Sequence, residues 1–293
     1  MDRQKILRGF RIKGLGITTY CKVTAVGHKI TLSFGTKLRN FCVIIKHDLE
    51  KPTELYLDRV DSDGDCIMGG RLSDIKRGAV RFVKLALYTV KRWFPRVIVI
   101  RFQDDSKIRC NTSSFPLILP LDYISKYGKT WYEYHFHAEI DTDMNYKNKN
   151  GYYRGLEILT QPHREKYEDA ADDIPNIEPF EAQYRASATP REFLNLIRSH
   201  LGDSYCDNGA RLLVAYMKYL RINPIPQWKI LMKDVESVPD FEREEITREE
   251  AKQMLNGGSY RTRRTHGGRT RRNRKARYQF SHEPDMQVYS IWN

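Results

Sequence analysis

Residues 75–94 place Ile75, Ala79, Phe82, Val83, Ala86, Leu87, Val90 and Phe94 on one stripe of 3.6-residue period. This spacing predicts a long amphipathic helix from Ile75 to Phe94, capped by Ser73 or Asp74 and stopped by Pro95. Val97-Ile98-Val99-Ile100-Arg101-Phe102, directly behind it, reads as a buried strand. Glu54–Val60, ahead of it, alternates Leu55, Leu57 and Val60 with Glu54, Tyr56 and Asp58, as a half-buried strand does. A strand, a long helix and a strand in that order call for a right-handed crossover, so the sheet must be mixed. Ile17–Val26, Lys29–Phe34 and Phe41–Lys46 are rich in β-branched and aromatic residues. With Gly27-His28 and Gly35 as turns, they predict hairpin strands in the same sheet.

Further along, helices are expected from Pro120 to Gly128 and through Trp131-Tyr132-Glu133. Residues 141–188 lose this rhythm. Asn145, Asn148, Asn150 and Gly151 form turns and Glu168–Asp173 is acidic, which reads as a surface connector and a domain boundary. Thr189-Pro190-Arg191-Glu192 is a capping box stopped by Gly202, and a second helix spans about 209–220. Pro224-Ile225-Pro226 ends that pair. Thr247-Arg248-Glu249-Glu250 caps one more helix, stopped at Asn256-Gly257-Gly258. The fold class expected is α+β, a mixed β-sheet with a long crossover helix (1–140). A connector (141–188), a helical region (189–256) and a basic tail with an aromatic C-terminus (257–293) follow.

The net charge of +13 on 293 residues suggests a nucleic-acid binder until it is located. Residues 1–51 carry +8, residues 52–255 carry −2 and residues 256–293 carry +7. The excess therefore sits at the two ends, and the body offers no basic cleft. No apolar run approaches the roughly 18 residues of a membrane span, so no transmembrane segment is expected. Met1-Asp2-Arg3-Gln4-Lys5 leads into no h-region, which predicts no secretory signal. Five widely spaced cysteines, Cys21, Cys42, Cys66, Cys110 and Cys206, fit neither a disulfide framework nor a metal knuckle, so a reducing compartment is expected.

Few residues offer chemistry. Asp61, Asp63 and Asp65 begin like a calcium loop, but Cys66 and Leu72 stand where it needs glycine and glutamate. His135 and His137 fall on different helix faces with no cysteine pair nearby, so aromatic packing is expected rather than zinc. The helices near 189–201 and 209–220 have the spacing of a helix-turn-helix reader. The second, Arg211–Lys218, is apolar on most sides and reads as half of an αα-hairpin. Gly258–Arg277 holds nine cations and no acid: Arg261, Arg263, Arg264, Arg269, Arg271, Arg272, Arg274, Lys275 and Arg277. Such a run suits binding to nucleic acid or another anionic surface and equally suits a solubilising tail or a localisation signal. The last sixteen residues turn aromatic, and Tyr278, Phe280, Tyr289 and Trp292 are expected to dock on a partner. The abundance of Tyr (18) points the same way, since Tyr and Arg favour interface cores. No cofactor or metal is expected, and no catalytic residue is assigned.

Three resemblances add to this reading. Asp63-Gly64-Asp65-Cys66 resembles the Asp-Gly-x-Cys nucleophile motif of ovarian-tumour-type cysteine proteases, whose cysteine must open a helix. Gly69-Gly70 opposes that helix here. Arg77-Gly78-Ala79 at a helix start, with a strand behind it, resembles the N-acetyltransferase superfamily over roughly residues 30–140. That resemblance implies coenzyme A at the helix N-terminus and Tyr123, Tyr127 or Tyr132 as general acid. The family's loop is Gln/Arg-x-x-Gly-x-Gly/Ala, whereas Ile75 and Val80 stand in its first and last positions here. Finally, Tyr127-Gly128-Lys129-Thr130-Trp131-Tyr132-Glu133-x-x-Phe136-x-Ala138 resembles an uncharacterised family of nucleocytoplasmic large DNA viruses. Gly267-Gly268-Arg269-Thr270-Arg271-Arg272 resembles basic termini frequent in those viruses.

The viral resemblance covers about 50–140 and the tail, and implies a virion, host-cytoplasm or virus-factory location. The function expected first is a non-enzymatic structural protein, a minor capsid or virion component contacting other viral structural proteins through its arms. The alternatives are an acetyltransferase-like enzyme, or a degenerate relative that binds coenzyme A, and a basic packaging factor.

Overall fold

The computed structural model describes residues 5–36, 41–61, 66–104, 106–108, 110, 112–222, 227–247 and 250. Five strands come first: β1 (Lys5–Gly14), β2 (Ile17–Val26), β3 (Lys29–Phe34), β4 (Val43–Asp48) and β5 (Glu54–Val60). They form an antiparallel meander. The crossover helix α1 (Gly78–Trp93) then leads to β6 (Val99–Gln103), which pairs parallel to β5. The two short strands β7 (Lys107–Ile108) and β8 (Leu117–Ile118) form a separate ribbon. Helices α2 (Leu119–Tyr127) and α3 (Trp131–Phe136), strand β9 (Glu139–Ile140) and helices α4 (Thr142–Ile158), α5 (Tyr167–Asp173), α6 (Glu181–Arg185), α7 (Pro190–Leu201) and α8 (Tyr205–Tyr219) follow. Last among the described residues come β10 (Gln227–Leu231) and β11 (Glu242–Glu245).

The main sheet has nine strands in the order β11-β1-β2-β3-β4-β5-β6-β10-β9, antiparallel except at β5–β6. The α+β class and the mixed sheet with its crossover helix are therefore as expected. Register places Leu57, Phe102, Trp228 and Ile140 in one row across four strands, all buried. Phe82, Val83, Leu85, Ala86, Leu87 and Val90 of α1 belong to the same apolar core. The neighbouring row, Lys46, Tyr56, Arg101, Lys229 and Glu139, points to the opposite face, where its residues are exposed or half-buried. Strand periodicity of two thus divides the sheet into an apolar face and a polar one.

Three sequence expectations need correction. The crossover helix starts at Gly78, not Ile75, because Leu72–Asp74 makes a 3₁₀ turn and Arg77 adopts the left-handed conformation at φ 58°. Residues 141–188 are not a surface connector. Three helices lie there, and Tyr152, Ile158, Leu159, Ala170, Ile174, Ile177 and Tyr184 bury their side chains in the core. Glu168, Asp169, Asp172 and Asp173 are exposed around the buried Ala170. The cysteines do pair: Cys42–Cys66 and Cys110–Cys206 are disulfides, and Cys21 is a buried free thiol. Wide sequence spacing concealed this, since the fold brings positions 96 residues apart together.

Strands β1, β10 and β11 lie where a basic lead-in and a helical region were expected. Phe10 and Ile12 alternate with Arg11 and Lys13 in β1, so its net charge masked a strand pattern. The αα-hairpin reading holds for α7 and α8, which pack together and against α2 and β8. Thr189 caps α7 by accepting the Glu192 N–H at 3.2 Å. Leu212, Leu213, Tyr216 and Met217 of α8 are buried, as half of a packed hairpin requires.

Candidate functional site

The start of α1 faces an aromatic cluster supplied by α2 and α3. Gly128 ends α2 in the left-handed conformation (φ 68°), and this reversal brings α3 back alongside it. Thr130 and Glu133 close α3 with a capping box: the Thr130 N–H reaches Glu133 Oε2 at 2.7 Å, and the Glu133 N–H reaches Thr130 Oγ1 at 3.3 Å. Tyr152 from α4 donates to the same Glu133 carboxylate at 2.5 Å. The hairpin sets Tyr123 Oη 3.4 Å from His135 Nε2. Tyr127 and Tyr134, each about half exposed, lie with ring centroids 4.8 Å apart.

Electrostatics at this cluster follow from burial and two cations. Burial lowers the His135 pKa, and the charges of Arg77 and Lys84 add to that, so the imidazole favours its neutral form. Burial raises the Tyr123 pKa, with neighbouring Tyr127 and Asp122 contributing and Arg77 opposing. A neutral imidazole can hold a phenolic proton, and the exposed rings offer a stacking surface. A shallow groove beside it is lined by Lys84, Leu87, His135, His137, Asp234 and Glu236.

The residues expected to serve a cofactor are occupied by packing. A Cβ on Gly78 would lie 2.1 Å from the Leu72 carbonyl oxygen, so the glycine is needed for the close approach of the 3₁₀ turn. Tyr132 is buried against Phe102, ring centroids 4.4 Å apart, and burial pushes its phenol far above the ordinary range. Of the three tyrosines named for a general acid, Tyr123 and Tyr127 reach the cluster and Tyr132 does not.

Segment 127–138 serves the fold at most of its motif positions. Gly128 makes the reversal, Thr130 and Glu133 cap, and Trp131, Tyr132, Phe136 and Ala138 are buried. His135 packs among Tyr123, Trp131, Tyr134 and Phe136, as the aromatic-packing reading expects. The cysteine-protease resemblance fails on Cys66, which is fully buried and bonded to Cys42. Asp63 and Asp65 lie outside the described residues. So do all nine tail cations, Arg261 to Arg277, and Tyr278, Phe280, Tyr289 and Trp292.

Sequence reasoning missed the buried pair at the α2–α7 junction. Asp122 Oδ1 accepts from Arg198 Nη2 at 2.8 Å, while that same nitrogen lies 2.9 Å from Ser125 Oγ and 3.3 Å from Tyr205 Oη. Both Asp122 and Arg198 were visible only as surface charges on helices. No helix among the described residues is long and apolar enough to cross a membrane. Neither a family model, nor a curated protein, nor a solved structure matches the chain.

Proposed function

We propose that this chain is a non-enzymatic structural component of a large DNA virus particle, a minor capsid or virion protein. In this reading a rigid body positions basic and aromatic arms against neighbouring viral proteins. The carrying observation is what segment 127–138 does. The residues that give the chain its viral resemblance cap, reverse and fill the fold around α3, which is what a shared scaffold retains. Two disulfides brace the same body. The test is quantitative proteomics of purified, nuclease-treated particles. Recovery in fixed stoichiometry with other capsid proteins supports the reading, and absence from particles overturns it.

A second reading, coenzyme A binding by an acetyltransferase-like core, is favoured by one observation. The β5–α1–β6 crossover joins parallel neighbours, and Tyr123 and His135 meet near Arg77 at the helix start. The sealed Gly78 position weighs against it. Saturable binding of coenzyme A that disappears in Arg77→Glu, an exposed position, would promote this reading over the first. DNA binding with a steep salt slope, lost on deleting 257–278, would promote the packaging reading instead.

A further inference from the structure

At the end of the sheet remote from α1's start, two tight turns meet. His28 lies in the turn between β2 and β3, and Asp48 and Glu50 lie where β4 turns toward β5. A backbone bond from the Leu49 N–H to the His28 carbonyl, 2.9 Å, ties the two turns together. The Glu50 N–H reaches Asp48 Oδ1 at 3.1 Å. His28 Nε2 lies 3.6 Å from Asp48 Oδ1, and His28 Nδ1 lies 3.5 Å from Glu50 Oε1. One ligand atom from each of the three residues falls within 4.8 Å of the others, the one such group among the described residues.

We propose that His28, Asp48 and Glu50 form a binding site for a divalent transition-metal ion of the zinc class. Ligand atoms bound tetrahedrally at about 2.1 Å stand about 3.4 Å apart. The two carboxylates face different nitrogens of the His28 ring, of which an ion takes one, so the carboxylate opposite the other nitrogen must swing toward it, from ligand atoms that already lie within 4.8 Å of one another. An imidazole among the donors selects against calcium and magnesium, which take oxygen alone. Two carboxylates neutralise the dication, and solvent completes the shell, since His28 and Glu50 are exposed. The turns supply the preorganisation: their register is fixed by four strands of the meander, so the ligands start close before any ion arrives.

The test is calorimetric titration of zinc ion into the full, oxidised chain after chelator treatment, comparing wild type with His28→Gln and Glu50→Gln. Both substitutions sit at exposed turns on different strands, and unchanged circular dichroism verifies the fold. Zinc bound elsewhere in the chain is common to all three proteins, so the difference is the readout. The expected result is a saturable wild-type site that weakens at least tenfold in each variant and is not displaced by excess magnesium. Variants that keep every wild-type site at wild-type affinity overturn the proposal, as does a wild type with no saturable site.

Discussion

Gly78 illustrates how a residue can invite one explanation from sequence and receive another from structure. Its place after Arg77 at a helix start suggests a phosphate cradle, yet its missing side chain leaves room for the Leu72 carbonyl. Gly78→Ala is expected to cost about 3 kcal/mol or more, because the obstructing atom is backbone and cannot rotate away. Chemical denaturation measures this. The Asp122–Arg198 pair makes the opposite point. Side-chain exposures of 5% and 17% place it inside the helical layer. Removing Arg198 as Arg198→Leu leaves Asp122 with Lys126, at 3.0 Å, as its remaining ion partner and is expected to cost about 2 kcal/mol. Arg185→Leu removes an exposed pair with Glu168 and Glu181 and is expected to leave the midpoint unchanged. Nothing in the sequence distinguishes Arg198 from Arg185, since the difference lies in which helices pack over each.

Elements were legible where one face is buried and one is wet. Strands β2 and β3 have the bounds that their β-branched content and glycine turns predict, β5 those its alternation predicts, and α1 is displaced at its start by the left-handed Arg77. Helices α5 and α6 were hidden because each buries one residue, Ala170 and Tyr184, and turns charge outward, and among the described residues of α4 the buried Tyr152 and Ile158 stand among exposed polar ones. His163 shows how this region is held. Its ring stacks on Tyr184 with centroids 4.3 Å apart, and its nitrogens face Ser187 Oγ at 2.9 Å and Tyr216 Oη at 3.4 Å. Burial lowers its pKa, against a smaller raising effect from Glu192. His47 and His135 are lowered for the same reason. A lowered folded pKa means that the unfolded chain binds more protons, so stability falls as pH drops below the unfolded value of about 6.5. Denaturation midpoints are expected to fall between about pH 7.5 and 5.5, and less steeply in His163→Gln.

For the molecule as a whole, the +8 of residues 1–51 belongs to strands β1–β4 of the folded sheet rather than to a separate basic end, and ion pairs such as Lys13–Glu242 and Lys46–Asp58 offset part of it. The disulfides bind distant parts of one core. Loop closure over 96 residues by Cys110–Cys206 is expected to contribute about 4.7 kcal/mol, and closure over 24 residues by Cys42–Cys66 about 3.5 kcal/mol. Cys206→Ser should therefore lower the denaturation midpoint more than Cys66→Ser. Alkylation of the denatured, unreduced chain should label one thiol, Cys21. That these cysteines pair could not be read from spacing, because pairing is a property of the assembled sheet and helices. The role proposed for this body is that of a scaffold within a virus particle. Mass spectrometry of purified, nuclease-treated particles tests it most directly. This chain is expected in constant ratio to the other capsid proteins through successive purification steps. Loss of the chain during purification, while those proteins remain, would contradict it.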